Sequence, residues 1–416
     1  MKRAARALCW LACAAPLLCA AAPQEFTPAF FGAHVHRSLP NALWKQAGFG
    51  ALRLHDANVT WADLEPAPGR WNWSHLDRIV ANAKGAGVDL LLPLQATPAW
   101  AASNPASAGA YGKGANTAPA HMSDWVAYVH AVATRYKGAI AAYEVWNEPN
   151  LTRFFNGSPR QMAALTRNAA QAIRQVDPAA KIVCSGITGN YGLSWFKDYL
   201  AAGADKYCDV IAYHFYVQHG APEKMAPLIA DVKKALANAG IRERALWNTE
   251  TGWVIDTGGA ARGAADGVPA TWKALPMETA LAYIPRALLI ARSNGVQRFY
   301  WYSWDHGSMG LTAGRGVRLT PAARLYTNFR NYVIGAQVDA CKPVGTIWNC
   351  RLALRDGTAV DVFWSTAGTQ SVQAARAGTL REINASGEIR RSRSLAADAE
   401  VEIGPKPVFI EYGARP

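Results

Sequence analysis

The chain lacks the features that would place it in several common classes. No glycine-rich phosphate loop follows its first predicted strand, which argues against a dinucleotide-binding, doubly wound sheet. No HExxH-type spacing occurs, so neither a metal nor any other cofactor is expected. Charged residues are scarce at 18%, and no run of Lys and Arg resembles a nucleic-acid patch, so a nucleic-acid partner is not expected. Internal repeats and long linkers are missing as well. Beyond the amino-terminal segment, no apolar stretch is long enough to span a bilayer.

Cysteine is sparse. Of seven, Cys9, Cys13 and Cys19 lie in "MKRAARALCWLACAAPLLCAAAP", where Lys2, Arg3 and Arg6 precede an apolar stretch and small residues around Ala20 to Ala22. That order predicts a secretory signal peptide over residues 1–21 and an exported, periplasmic or extracellular protein with no stable membrane span after cleavage. An uncleaved anchor is the alternative. The remaining Cys184, Cys208, Cys341 and Cys350 are an even number suited to an oxidising compartment. Cys341 and Cys350 flank "KPVGTIWN" and predict a hairpin staple; Cys184 and Cys208 fall in consecutive predicted strands, as a second bridge or as buried thiols. The net charge of +13, three units of which come from Lys2, Arg3 and Arg6, is compatible with an anionic partner. Because the basic residues are scattered, composition alone is the simpler account.

What is present is a 416-residue chain, half hydrophobic, with alternating strand-like and helix-like segments. Eight candidate strands stand out: "AFFGAHVH", "GALRLHD", "VDLLLPLQ", "IAAYEVWN", "KIVCSGI", "CDVIAYHFY", "ALWNTETGW" and "RFYWYSWD". Helical patterning lies between them, for example over Trp73 to Gly85, Met122 to Tyr136 and Ser158 to Val176. In the first of these, Ser74 with Asp77 suggests the N-cap, and Gly85 and Gly87 the stop. Eight such units predict a (β/α)8 TIM barrel over residues 28–332. After about Tyr332 the texture alternates in the β manner, with turns at "RDG" and "ASGE". Residues 333–416 therefore predict a small, sandwich-like antiparallel β domain, either stabilising the barrel or binding carbohydrate.

In such barrels, reacting groups sit at the carboxyl ends of strands. That filter selects Glu148, after the fourth strand, and Glu250, after the seventh. A charge at the end of a buried strand is costly unless it is paired or used. Two carboxylates facing one aromatic-rich cleft suit glycosidic-bond chemistry, one as proton donor and the other as nucleophile or base. A nucleophilic Glu must be anionic, and the donor must start protonated. Glu144 shares strand parity with Glu148 and predicts a structural pairing, with Arg53 or a histidine. Lone strand-end histidines such as His34, His36 and His55 read as pocket or core groups.

"WNEPN" at Trp146 to Asn150, together with "WNTETGW" at Trp247 to Trp253, resembles the signature of the retaining glycoside hydrolases of clan A. The segments "LRLHD", "WADLEPAPGRWNWSHLD", "TPAW" and "YHFY" bring it nearest to family 39 and family 5-like members, over roughly Phe30 to Phe329. The resemblance implies Glu148 as acid/base, Glu250 as nucleophile, and Asn147 on the sugar 2-hydroxyl. It further implies that Arg53 and Tyr216 hold Glu250 ionised, that His214 shapes the pocket around one of the carboxylates, and that Trp301 or Trp304 forms an aromatic floor. Trp61, Trp100, Trp253, Phe154 and Phe155 are further stacking candidates, and His34 a further pocket residue. "TGGAARGAADGVPATWK" reads as a loop over the cleft or a tolerated insertion. The expected carboxyl separation is about 5 to 5.5 Å, as in retaining enzymes. The implied activity is hydrolysis of β-linked polysaccharide, endo-acting and including bacterial exopolysaccharide. An exo-acting β-xylosidase or β-glucosidase, or a non-catalytic carbohydrate-binding assembly protein, are the alternatives. The partner would be a polysaccharide or oligosaccharide, including anionic ones.

Overall fold

A computed structural model of the chain describes residues 24–414, apart from residues 38, 40–42, 218–219, 259–267 and 269–270. The expected signal segment and most of the loop after the seventh strand lie outside the described residues. Eight parallel strands form a closed barrel: β1 (Phe31–Ala33), β2 (Ala51–Arg53), β3 (Asp89–Leu94), β4 (Ala142–Val145), β5 (Lys181–Val183), β6 (Val210–His214), β7 (Ala245–Thr251) and β8 (Val296–Trp301). Each pairs with the next, and β8 closes on β1 through Phe299 with Phe31 and Trp301 with Ala33. All eight strands expected from the sequence are present.

Helices cover the outside: α1 (Ser74–Ala86), α2 (Met122–Arg135), α3 (Pro159–Val176), α4 (Leu193–Ala201), α5 (Met225–Asn238), α6 (Met277–Ser293) and α7 (Pro321–Val333). The start of α3 is set by Ser158, which caps Gln161 and is capped by it in return, with Pro159 following. At α1 the expectation is corrected. Ser74 is inside the helix, its hydroxyl donates to Asn72, and Trp73 at the N-cap makes no side-chain cap bond. Gly87, in the left-handed conformation at φ 65°, ends that helix, whereas Gly85 lies within it. No described helix is long and apolar enough to cross a membrane.

The period-2 alternation of the strands divides the barrel interior into two layers. Toward the amino ends of the strands, Ala51, Leu91, Ala142, Val183, Val210, Ala212, Trp247 and Tyr300 form a buried apolar plug. Tyr300 enters because its direct partner on the adjacent strand β1 is Gly32; a Cβ at Gly32 would come within 2.7 Å of the ring. Two residues further along several of the same strands stand Arg53, Glu144, Ser185, His214, Thr249 and Tyr302, on the cleft side.

The carboxyl-terminal segment forms antiparallel strands around a core that includes Leu380, Leu395, Val401, Ile403, Ile410 and Tyr412. Its larger sheet also takes in Gln24–Glu25 from the start of the described chain, paired with Gln337–Val338. It is tied to the barrel helices by Trp364 on Glu223, Tyr332 on Glu411 and Arg286 on the Pro405 carbonyl. Cys341 is bridged to Cys350, as the hairpin predicted, and Cys184 to Cys208.

Candidate active site

The stretch around Glu148 leaves β4 by an abrupt turn. Trp146 and Glu148 both have positive φ, 71° and 41°, conformations that cost about 1–3 kcal/mol each for such side chains. Their surroundings hold them there: the Trp146 N–H donates to Leu94, the Glu148 N–H donates to Gly186, and the Trp146 indole N–H donates to the Phe154 carbonyl. The carboxylate is thereby lifted off the barrel wall into a cleft of about 660 Å³.

Beneath the cleft lies a buried polar network. Arg53 donates to Glu144 at 2.5 Å, to Glu250 at 2.8 Å and to Asn147 at 2.7 Å. The Tyr216 hydroxyl donates to the other Glu250 oxygen at 3.0 Å. His214 Nδ1 is 2.9 Å from Glu148, and its Nε2 is 3.1 Å from the Thr249 hydroxyl. Because Thr249 donates its own proton to Glu144, its oxygen accepts from His214, so Nε2 carries a hydrogen and Nδ1 faces Glu148. Glu144 thus has the structural role its strand parity predicted. Gly186 makes the network sterically feasible: a Cβ there would lie 2.4 Å from His214 Nε2 and 2.6 Å from Glu144.

An oxygen of Glu148, an oxygen of Glu250 and a His214 nitrogen all lie within 4.8 Å of one another. That is well short of the roughly 6.5–9.5 Å that leaves room for a water between inverting carboxylates. The three could in principle surround a metal ion. Their atoms are instead engaged with one another and with Arg53, whose positive charge opposes a cation there.

The proton distribution differs from the simplest expectation. At Glu250, burial prevails, helped by the charge of Glu148 and opposed by His214 and Arg53, and the pKa is pushed up to about 7. At Glu148, burial also pushes upward, but the hydrogen bond and charge of His214 win and the pKa is lowered. The sequence implied a protonated Glu148 beside an anionic Glu250; His214 changes that by contacting Glu148. Carboxyls this close titrate as a pair, so the pair retains one shared proton up to about pH 7. His55, by contrast, is driven down to about 3, chiefly by burial.

The structure therefore brings together Glu148, Glu250, Asn147, Arg53, His214 and Tyr216. It does not bring Trp100, Trp253, Trp301 or Trp304 to the cleft, and here the expectations are corrected. Trp301 and Trp304 are fully buried and face outward from the barrel into the core against the helices. Trp253 packs on Trp301 and donates to the Gly220 carbonyl. Trp100 packs edge-on against the buried Trp61 and donates to the Glu65 carbonyl. His34 is buried under Tyr302 and contacts the Thr249 carbonyl. Phe155 is core, while Phe154 lines the cleft.

Aromatic surface in the cleft comes instead from Tyr302, Tyr111, Tyr191, Phe154 and Trp272. The signal for Tyr302 was present in "RFYWYSWD": Phe299 and Trp301 are the apolar alternation, so Tyr300 and Tyr302 face the barrel interior. Asp56, at φ 60°, was also missed. It accepts from Tyr111 at 2.6 Å and Tyr302 at 2.8 Å. Burial would raise Asp56, but His55, His36 and those hydroxyls hold it well below the usual carboxylate range.

The chain matches the model of the glycosyl hydrolases family 39 over residues 22–245, a span that contains Arg53, Asn147, Glu148, His214 and Tyr216 and ends short of Glu250. A curated β-xylosidase of Geobacillus stearothermophilus is 27% identical over 164 residues, which cover 37% of this chain and 32% of that protein, so the match spans about a third of the relative's length. Among solved structures, a family 39 glycoside hydrolase from Bacteroides cellulosilyticus superposes with a TM-score of 0.73 at 18% identity, covering 93% of this chain and 81% of that one. A family 39 β-xylosidase from Caulobacter crescentus gives 0.65 at 16%, covering 94% and 97%. A family 30 endoxylanase from Clostridium papyrosolvens gives 0.61 at 16%, covering 94% and 97%.

Proposed function

The chain belongs to glycosyl hydrolase family 39, and from that premise we propose that it is a retaining glycoside hydrolase acting on β-linked polysaccharide, with Glu250 as nucleophile and Glu148 as acid/base. The observation that carries this reading is the close approach of Glu148 and Glu250 in one cleft, each with its own partners.

In the first step a Glu250 oxygen attacks the anomeric carbon. The glycosidic C–O bond breaks, and the leaving oxygen takes the proton of Glu148. Arg53 and Tyr216 both donate to Glu250 and favour its anionic form, so a proton moved to Glu148 leaves a competent nucleophile. Once the glycosyl-enzyme forms, the Glu250 charge is gone. Glu148, anionic beside His214, then removes a proton from water as the water displaces Glu250 from the anomeric carbon. The Asn147 oxygen is held by Arg53, while its amide nitrogen has no hydrogen-bond partner among the described residues. That leaves a donor for a sugar hydroxyl.

Internal cleavage is the favoured mode, because the lining extends from His36 and Arg315 at one edge to Arg153 and Tyr191 at the other, past both carboxylates. Exo action on xylo-oligosaccharides is the second reading, supported by relatives that carry the name β-xylosidase. We propose export as well, supported by the amino-terminal segment and the two disulfides.

The test is hydrolysis followed by NMR of the first-formed anomer. Retention is expected, and inversion would refute the mechanism. Glu250→Gln should lower kcat by about 10⁴-fold or more, and Glu148→Gln by about 10²–10⁴-fold. Full activity in either variant would remove it from the assigned role.

A further inference from the structure

The charges that line the cleft are not equally available. Four are carboxylates: Glu148, Glu250, Asp56 and Asp305. Each is satisfied by the protein. Glu148 is held by His214, and Glu250 by Arg53 and Tyr216. Asp56 accepts from Tyr111 and Tyr302, and Asp305 accepts from the backbone N–H groups of His36 and Arg37 at 2.9 and 2.8 Å.

The cations lining the same cleft are differently placed. Arg37 and Arg315 are both exposed, and neither guanidinium has a hydrogen bond or ion pair among the described residues. Asp305 acts on the Arg37 main chain and holds the segment that carries it, leaving the side chain unengaged. Beside them the imidazole of His36 is 8% exposed, and its Nε2 has no partner among the described residues. At the opposite edge, Arg153 is half-exposed, has its guanidinium carbon 4.6 Å from the Phe154 ring centre, and approaches Glu148 only to 3.9 Å.

These positions follow from topology. His36, Arg37 and Arg315 lie after the adjacent strands β1 and β8, whereas Arg153 lies in the loop after β4, across the barrel. Glu148 protonates the leaving group, so a cation beside Glu148 faces the sugar that departs. The other two arginines face the sugar on the far side of the scissile bond. The guanidiniums of Arg37 and Arg315 at one end, and that of Arg153 at the other, held only by the long approach to Glu148 and by the Phe154 ring, are placed to pair with anionic groups on whatever binds along the cleft.

We propose that the cleft takes a β-linked glycan bearing carboxylates, with Arg153 engaging a uronate on the leaving-group side and Arg37 with Arg315 engaging one on the opposite side. The inference rests on the glycosidase reading above. A guanidinium suits the task because its planar fork matches a carboxylate in bidentate fashion.

The test compares kcat/KM on glucuronoxylan and poly-β-D-mannuronate with their carboxyl-reduced counterparts, alongside the neutral 4-nitrophenyl β-D-xyloside. The expected result is at least a tenfold preference for the acidic form of one polymer, shrinking as ionic strength rises from 20 to 300 mM by about the Debye screening of exposed charge. In Arg37→Gln/Arg315→Gln and in Arg153→Gln, the rate on that acidic polymer should fall about tenfold, and on its reduced form by no more than about threefold. Equal rates on the two forms, or turnover of neutral substrates alone, would overturn the proposal and leave the glycosidase standing. A preference that survives in the arginine variants would overturn the assignment of these residues. No turnover of any substrate would count against the glycosidase reading itself, which the anomer measurement tests separately.

Discussion

The two layers of the barrel interior are built on the same strands, only two residues apart, yet they obey opposite rules. Ala51 precedes Arg53, Ala142 precedes Glu144, Ala212 precedes His214 and Trp247 precedes Thr249. In the first layer, stability comes from packing apolar volume away from water. In the second, every charge is out of water as well, and it is tolerable only because the charges are paired: Arg53 alone serves Glu144, Glu250 and Asn147. The comparison teaches that the plug is forgiving of sequence and the polar layer is not. A hydrophobic plug needs volume, whereas the network needs each atom.

The sharpest way to break the contrast is Arg53→Met. It leaves Glu144 and Glu250 buried without their cation, so a loss of about 3–5 kcal/mol in denaturant unfolding is expected, together with loss of hydrolysis. A loss under about 1 kcal/mol would mean the network does not depend on that cation. Leu91→Ala addresses the plug instead. Its cavity should cost about 3 kcal/mol, with kcat/KM little changed, because the Leu91 side chain packs in the apolar plug. A large fall in kcat/KM at full folding would show that the layers are mechanically coupled.

Gly186→Ala inserts one carbon between His214 and Glu144. About 1–3 kcal/mol of overpacking is expected, and a rate loss of about 10²-fold from misplacing His214 and hence Glu148. The mildest effect is that of pH. Glu250 is raised from 4.5 to about 7, so the folded protein keeps a proton that the unfolded chain releases. Its contribution to stability is therefore full below about pH 4.5 and lost as pH rises through about 7. Glu250→Gln should flatten that slope in thermal melts between pH 5 and 8. For the wild type, kcat/KM should fall about tenfold per pH unit above about 7, as the shared proton leaves the pair.

Much of this was legible from residue order. The eight strands, the helices between them and the change to β texture after Tyr332 follow from periodicity, a local property. Glu148 and Glu250 could be singled out because a carboxylate at the end of an apolar strand has few structural uses. The tryptophans of the eighth strand were misassigned for a physical reason: Trp suits both a sugar face and a barrel-to-helix core, and one strand's alternation leaves its phase open. Trp301 went to the core, and Tyr302 to the cleft.

The sequence by itself determined the fold class, the strand ends at which chemistry could occur and the two carboxylates there, because each of these is encoded in spacing along the chain. Only the tertiary structure decided which groups meet. That His214 contacts Glu148, that its other ring nitrogen meets Thr249, that Gly186 leaves them room and that Arg37 and Arg315 have no partner among the described residues beside a cleft of satisfied acids depends on distances between strands far apart in the chain. Such distances are set by barrel closure, and no local pattern records them.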